Sequence, residues 1–385
     1  MSDIFFTEDE KQFRQHVKMF AKEHVAPFAE EIDTNLLYPR EIIAKMGQLG
    51  FLGVLHPQEY GGAGKGLSYE IIVAEELSAV SASTEMSRLA SVTLYAMPVN
   101  RFGTHSQKEK YLRPVVKGEK IGALCVTEPT VGSDTAGMKS TAVRKGDGYV
   151  LNGEKRFITN GSAADFLVVF AITNPSVHAH EGMSAFIVES STPGFEVFKE
   201  HDLLGMRGAK VAHLKFKDLK VPAANLLGKE SEGFKVLMDE LDSERVAVAA
   251  GMIGTARSAY ESAVKYSTER VQFDQPIRKF EGVSFKIADM AVKLEASRLL
   301  VLQAARMIDK GLRATKEAAI AKLYSTETAV EISNEALQVL GGIGYTKEYP
   351  VERYLRDTRL MTIGAGTSEI MRYLVQREIY REFRY

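Results

Sequence analysis

The chain predicts an α+β fold that is mainly helical, with a β-rich middle set between two helical regions. Three observations carry this. Apolar residues recur at helical spacing from Thr7 to about Leu112, short β-rich runs replace them after Ile121, and the helical period returns beyond Val221-Pro222.

In the first region Phe13, His16, Val17, Phe20 and Ala21 fall at spacings of three and four, and Thr7 with Glu10 forms a capping-box pattern. Turn chemistry at His56 to Gly62 and at Phe102-Gly103-Thr104 breaks these helices, with a helical stretch from Glu70 to Val80 between them. In the middle region Tyr149-Val150-Leu151, Phe166 to Ile172, Ser184 to Glu189 and His213 to Phe216 read as strands. Helices then run from Val246 to Tyr266, Phe280 to Lys310 and Glu317 to Leu340. Small residues and sparse charge from Ala247 to Gly254 imply a buried helix packed closely on its neighbours. The expected domains are 1–120, 121–228 and 229–385.

The 385 residues suit two or three domains. A formal net charge of −1, with 45% hydrophobic and 26% charged residues, argues against a polyanion-binding or disordered chain. The single cysteine, Cys125, excludes an internal disulfide and any cysteine-cluster metal site, so a reducing, cytoplasmic setting is expected. The first twenty residues carry charges throughout, unlike a secretory signal, and no stretch reads as a membrane span.

Four segments carry chemistry. Thr127 to Asp134 sets hydroxyls, Pro129 and Gly132 where a strand leaves the sheet, so it can present N–H groups and hydroxyls to a polar ligand; ordinary turns use the same residues. Asn152 to Gly161 reads as a hairpin-like turn followed by Phe157 and Thr159, an aromatic and a hydroxyl suited to a flat heterocycle or to a core hairpin. Arg270 follows a helix end, where it can hold a phosphate or stand solvated. Gln338 to Tyr345 closes a helix with glycines that permit a cap or a close ligand approach.

Their order and spacing, continued by Arg356-Asp357 and by Gly366-Thr367-Ser368-Glu369-Ile370, resemble the acyl-CoA dehydrogenases over most of the chain. The resemblance implies that family's fold: an N-terminal helical domain, a central β-barrel-like domain and a C-terminal helical bundle, assembled as a homotetramer around FAD. It implies that Thr127 and Thr159 bond the isoalloxazine, Phe157 packs on it and Ser133 contacts the phosphates. Arg270, Phe273, Gln338, Gly341 and Gly342 are expected from a neighbouring subunit, and Thr367 and Glu369 at the remaining phosphate and ribose. The implied activity is α,β-dehydrogenation of an acyl-CoA, with electrons passing to an electron-transfer flavoprotein.

Ala365 stands where most members carry the catalytic glutamate, and Glu244, followed by Arg245, matches the alternative position of a branch that includes isovaleryl-CoA dehydrogenases. The resemblance therefore makes Glu244 the base and leaves Ala365 its backbone N–H, with Asp242 and Arg245 facing the thioester arm. Read without it, Glu244 is a first-turn helix glutamate, Asp242 a helix cap and Arg245 half of an ion pair. Asp274, Glu281 and His213 depart from the residues usual in the family. A short or branched acyl chain is expected, with alicyclic thioesters open. An acyl-CoA oxidase, an enoyl-CoA reductase or a non-catalytic scaffold subunit could share most of these residues.

Overall fold

The computed structural model describes residues 3–383. Numbering only helices of eight residues or more, α1 (Glu8–Phe20), α2 (Arg40–Gln48), α3 (Leu67–Ser78) and α4 (Ala82–Leu89) precede the sheet. After it come α5 (Gly233–Glu269), α6 (Glu281–Asp309), α7 (Thr315–Leu340), α8 (Val351–Arg359) and α9 (Ser368–Glu382).

The capping box of α1 forms: Thr7 N–H donates to the Glu10 carboxylate at 2.8 Å, and Glu10 N–H to Thr7 Oγ1 at 3.3 Å. Glu10 also takes both arms of Arg306 on α6 at 2.6 Å, which pins the first helix to the C-terminal bundle. Cys125 is buried, and burial pushes its thiol up to about 12, far from reactive. Among the described residues no helix is long and apolar enough to cross a membrane.

The strands are β1 (Gly122–Cys125), β2 (Thr141–Lys145), β3 (Gly148–Ile158), β4 (Phe166–Ile172), β5 (Met183–Glu189), β6 (Phe195–Glu200), β7 (Ala212–Pro222) and β8 (Leu226–Leu227). Their order is β6-β7-β3-β2-β4-β5-β8, with β1 parallel beside β4. β2 and β4 share only the pair Thr141 and Ile172, so the sheet divides there. The two halves close on a common core through Leu151, Leu167 and Phe186, with Tyr149 meeting Phe186 edge-on at 4.9 Å.

Three strands escape the sequence reading: β2, the largely exposed β6 and the two-residue β8. One expectation is corrected. Asn152-Gly153 makes no hairpin turn; β3 runs straight through it. Opposite it β7 carries one extra residue, a bulge at Lys217 and Asp218 with Asp218 at φ 49°, while Gly153 takes φ 147° and a Cβ there would sit 2.3 Å from Ser140 Oγ.

The Ala247 to Gly254 stretch behaves as its composition predicts. At Gly254, α5 comes so close to α3 that a Cβ would stand 2.0 Å from the Glu75 carbonyl oxygen. Ser78 Oγ meets Thr255 Oγ1 at 3.0 Å beside it, and Arg257 forks onto Glu75 and Glu76 at 2.7–3.1 Å. Burial alone would raise the Glu75 carboxyl, but Arg257, Arg298 and Arg14 hold it well below the usual carboxylate range. Gly254→Ala should therefore force the two helices apart and cost about 1–3 kcal/mol or more. Guanidinium unfolding of the purified variant checks this; a midpoint equal to wild type would show that the contact can relax freely.

Candidate active site

Where β1 leaves the sheet, a buried ion pair organises the loop. Lys155 Nζ on β3 donates to Glu128 at 2.9 Å and to the Val126 carbonyl at 3.1 Å, while Glu128 accepts the backbone N–H groups of Lys139 and Ser140 at 2.8 and 3.0 Å. Each carboxylate oxygen of this buried pair thereby has at least one donor, as a charge out of water requires. Arg156 N–H donates to the Thr127 carbonyl at 2.8 Å, so Thr127 lies beside the Phe157–Thr159 segment.

A second bulge, between Lys155 and Ile158, gives Phe157 its direction. Its φ is 58° and the residue is 56% exposed, with the His201 ring beside it at 5.0 Å and the Arg156 guanidinium over its ring at 4.8 Å. A strained backbone that turns a phenylalanine outward costs roughly 1–3 kcal/mol, the signature of a surface built to receive something flat. Thr127 and Thr159 are half-buried nearby, and Ser133 is exposed on the adjoining loop.

Glu244 lies deep within α5, not in its first turn, because the helix begins at Gly233. Asp242 likewise caps nothing. It accepts Arg245 Nη1 at 2.9 Å and Thr315 Oγ1 at 2.7 Å, so the expected ion pair of Arg245 exists. Glu244 is buried and its carboxyl makes no hydrogen bond among the described residues. Burial pushes its pKa up to about 7, against the opposing pull of Arg245 and Lys322.

The missing partner on the page of the sequence was Lys322, on α7. It is fully buried, and its ammonium donates to the Gly366 carbonyl at 2.5 Å. The signal was present: Lys322 falls on the stripe of Ala318, Ser325, Ala329 and Ile332 that α7 turns inward. Ala365 and Gly366 take φ 55° and 90°, and the Ala365 N–H donates to no protein acceptor among the described residues. Thr367 caps α9 by accepting Ile370 N–H at 3.3 Å. Glu369 is exposed one residue into that helix.

Below Glu244 on the same face of α5 stand Ala247, Val248 and Gly251, which line a narrow cavity of about 10 Å³ walled by Met86, Leu89, Met206, Met252 and Met361. Gly251 is two turns from Glu244, roughly 10 Å along the axis. At the other end of α5 an open cleft of about 580 Å³ is lined by His180, Ser231, Phe234, Lys235 and Met238.

Arg270, Phe273, Gln338, Gly341 and Gly342 are not gathered around Glu244; all five are exposed on the surface of the chain. Phe273 is 87% and Tyr345 85% exposed, and nothing lies within 4 Å of a Cβ built on Gly341 or Gly342. The departures have local reasons. Asp274 follows Phe273 in a tight turn where both take positive φ, 51° and 58°, a conformation Asp tolerates better than most residues after glycine. Glu281 opens α6, where a carboxylate suits the helix dipole. His213 is held by Glu154 at 2.8 Å.

The residues fit a large polar heterocyclic cofactor. The outward Phe157, the flanking hydroxyls and the clear space over Gly341 and Gly342 are accompanied by buried polar atoms with no partner among the described residues, Arg156 Nε and Ser368 Oγ.

Three family models match consecutively: Acyl-CoA dehydrogenase, N-terminal domain over residues 7–119, middle domain over 123–219 and C-terminal domain over 231–380. The chain is 42% identical to the short-chain specific acyl-CoA dehydrogenase of Clostridium acetobutylicum, covering 98% of this chain and 100% of the relative. Among solved structures it resembles butyryl-CoA dehydrogenase from Megasphaera elsdenii, with TM-score 0.95, 40% identity and coverage of 98% and 99%. It also resembles a chain from work on the electron transferring flavoprotein of Acidaminococcus fermentans, with TM-score 0.96, 44% identity and coverage of 99% and 100%. Fold and site thus define a flavin-dependent oxidoreductase. The chain belongs to the acyl-CoA dehydrogenase family and is an FAD-dependent enzyme of that class.

Infrared difference spectra of the holoenzyme should show a protonated carboxyl band that fades as pH rises through about 7, because burial raises the Glu244 pKa and the carboxylate appears only above it. The band should be absent from Glu244→Gln. A band unchanged by that substitution belongs to another group.

Proposed function

We propose that this enzyme oxidises the Cα–Cβ bond of a short acyl-CoA thioester, with Glu244 as the base that removes the α proton. The observation that carries this reading is a buried, unbonded carboxyl near neutral pKa, standing above an apolar cavity and beside a free backbone N–H. A base works best when its pKa lies close to the operating pH. The Ala365 N–H is the donor for the thioester carbonyl, whose oxygen gains charge as the proton leaves.

Bound against Phe157, FAD supplies the acceptor for the β-hydride. Thr127, Thr159 and Ser133 would hold its ring and phosphates from this chain, with Thr367 and Glu369 at the remaining phosphate and ribose. The acyl chain would descend from Glu244 past Ala247 and Val248. The methionine and leucine walls leave about 10 Å³ open, so they must shift to admit even a short chain, and a long one would ask for a larger rearrangement. Asp242 and Arg245, beside Glu244 on α5, would flank the extended thioester arm. An electron-transfer flavoprotein is the proposed electron acceptor, in keeping with the likeness to a chain from work on such a protein.

Stopped-flow flavin reduction tests the chemistry. Butyryl-CoA should reduce the flavin faster than octanoyl-CoA, and Glu244→Gln should slow reduction by about 10²–10⁴-fold with bound FAD unchanged. Adding Ala365→Glu should return part of the rate. A Glu244→Gln enzyme that reduces at the wild-type rate would place the base elsewhere.

The same reading makes the active form a homotetramer in which Arg270, Phe273, Gln338, Gly341 and Gly342 reach a neighbour's cofactor, for which their exposure in the single chain is the support. Sedimentation should give four chains and four FAD. Arg270→Ala should weaken FAD retention by about 1.5–3 kcal/mol, the worth of one charge-assisted contact, while leaving helix content intact. A fully active, FAD-loaded monomer would refute the assembly.

A further inference from the structure

We propose that Lys322 is a positioning residue for the reaction, acting at two points with one ammonium group: it fixes the Gly366 carbonyl so that the preceding Ala365 N–H is aimed, and it sets its charge toward Glu244. The inference rests on Glu244 being the base.

The geometry begins with an improbable placement. A lysine on the buried stripe of α7 must find acceptors or lose its charge, and the protein offers it one strong acceptor, the Gly366 carbonyl at 2.5 Å. That carbonyl belongs to a turn with two successive left-handed residues, Ala365 at φ 55° and Gly366 at φ 90°. Alanine does not hold such a conformation by preference, so the turn depends on what clamps it. Its first residues are fixed by Ile363 and Gly364 N–H donating to the Leu360 carbonyl, each at 2.9 Å, and its end by the Thr367 cap. Between these anchors Lys322 supplies the remaining tie. Releasing it frees the Ala365–Gly366 peptides to rotate, and the Ala365 N–H, which no acceptor holds among the described residues, loses its aim.

The second role is electrostatic. The charged groups facing this corner are Arg245 and Asp242 on α5, Lys322 on α7 and Glu369 at the start of α9. Arg245 already bonds Asp242, and Glu327, a further turn along α7, is held by Arg372. Glu75 and Glu76 of α3 are held by Arg257 farther along α5, with Arg298 of α6 also on Glu75; Glu70 of α3 and Glu85 of α4 are bound by Arg88, and Asp357 of α8 accepts the Met206 N–H. Lys322 is therefore the cation without a carboxylate hydrogen bond of its own that faces Glu244. A positive neighbour favours the carboxylate, so it lowers the pH at which Glu244 becomes a base; burial of Lys322 pulls its own pKa down, and Glu244 partly restores it.

Two substitutions separate the roles. Lys322→Gln keeps a donor for the Gly366 carbonyl and removes the charge; Lys322→Met removes both. In the FAD-loaded enzyme with butyryl-CoA, the acid limb of flavin reduction should move to higher pH by about one unit or more in both variants. Lys322→Met should also lose at least about tenfold in the plateau rate above that limb, a loss Lys322→Gln largely avoids. The infrared carboxyl band of Glu244 should fade at the same raised pH, without any substrate present, and Lys322→Arg should return the limb toward wild type. An unmoved limb and an unmoved band in Lys322→Gln would overturn the proposal, as would a Lys322→Met variant slowed equally at every pH. If Lys322→Met fails to fold, the Gln and Arg variants still decide the electrostatic half. Failure of the Glu244 reading looks different: Glu244→Gln would then reduce its flavin normally, whatever Lys322 does.

Discussion

A helix of 37 residues can occupy the middle of this molecule only because part of one face carries almost no side chain. Between Ala247 and Gly254 α5 carries only alanine, valine and glycine apart from Met252 and Ile253, and the Glu75 carbonyl of α3 sits where a methyl group would be at Gly254. That approach fixes the distance between the N-terminal helices and the C-terminal bundle. The cavity beneath Glu244 is bounded by both: Met86 and Leu89 come from α4, Val248 and Met252 from α5. Were the helices held apart by larger residues, the walls would separate and the carboxyl above them would meet water. Its raised pKa, which is a consequence of exclusion from water, would fall toward an ordinary value.

The order of elements was legible because it rests on period, and period survives tertiary context. The Thr7–Glu10 cap, the buried Ala-rich helix and four of the strands stand where pattern placed them. What could not be read were elements whose residues lack a burial pattern. β6 is Phe-Glu-Val-Phe-Lys-Glu with nearly every side chain outward, so no alternation marks it. Asn152-Gly153 carried a strong turn signal that the structure sets within a strand, opposite a bulge of β7; a glycine at positive φ serves in either place, and only the partner strand decides which.

The site divides in the same way. Glu244 and Ala365 could be singled out as types at matching positions, but not why the carboxyl is tuned as it is. Local reading started the helix at Val246 and so put Glu244 near a first turn, although Phe234, Leu237, Met238 and Leu241 already fall at helical spacing; helix starts without a side-chain cap leave little trace in sequence. Lys322 lies between two alanines and a leucine with no motif around it. Its meaning comes from residues 78 and 44 positions away, which only the packing of α5, α7 and the turn before α9 brings to it. Likewise Glu128 and Lys155 both sit in recognisable motifs, yet their pairing across a loop is a fact of the fold.

Placing the proposed base in the interior of a long packed helix, with a small residue on the loop opposite, also alters how the enzyme meets heat. A proton acceptor carried on a surface loop can wander while the rest of the molecule remains intact, and activity then fades well before the chain melts. Glu244 shares its backbone with the contacts that hold the two helical regions together. It can leave its place only when the bundle itself opens, a sub-global event close in free energy to unfolding. Inactivation and loss of structure are thereby made one cooperative event, and the catalytic centre inherits the full thermal margin of the scaffold.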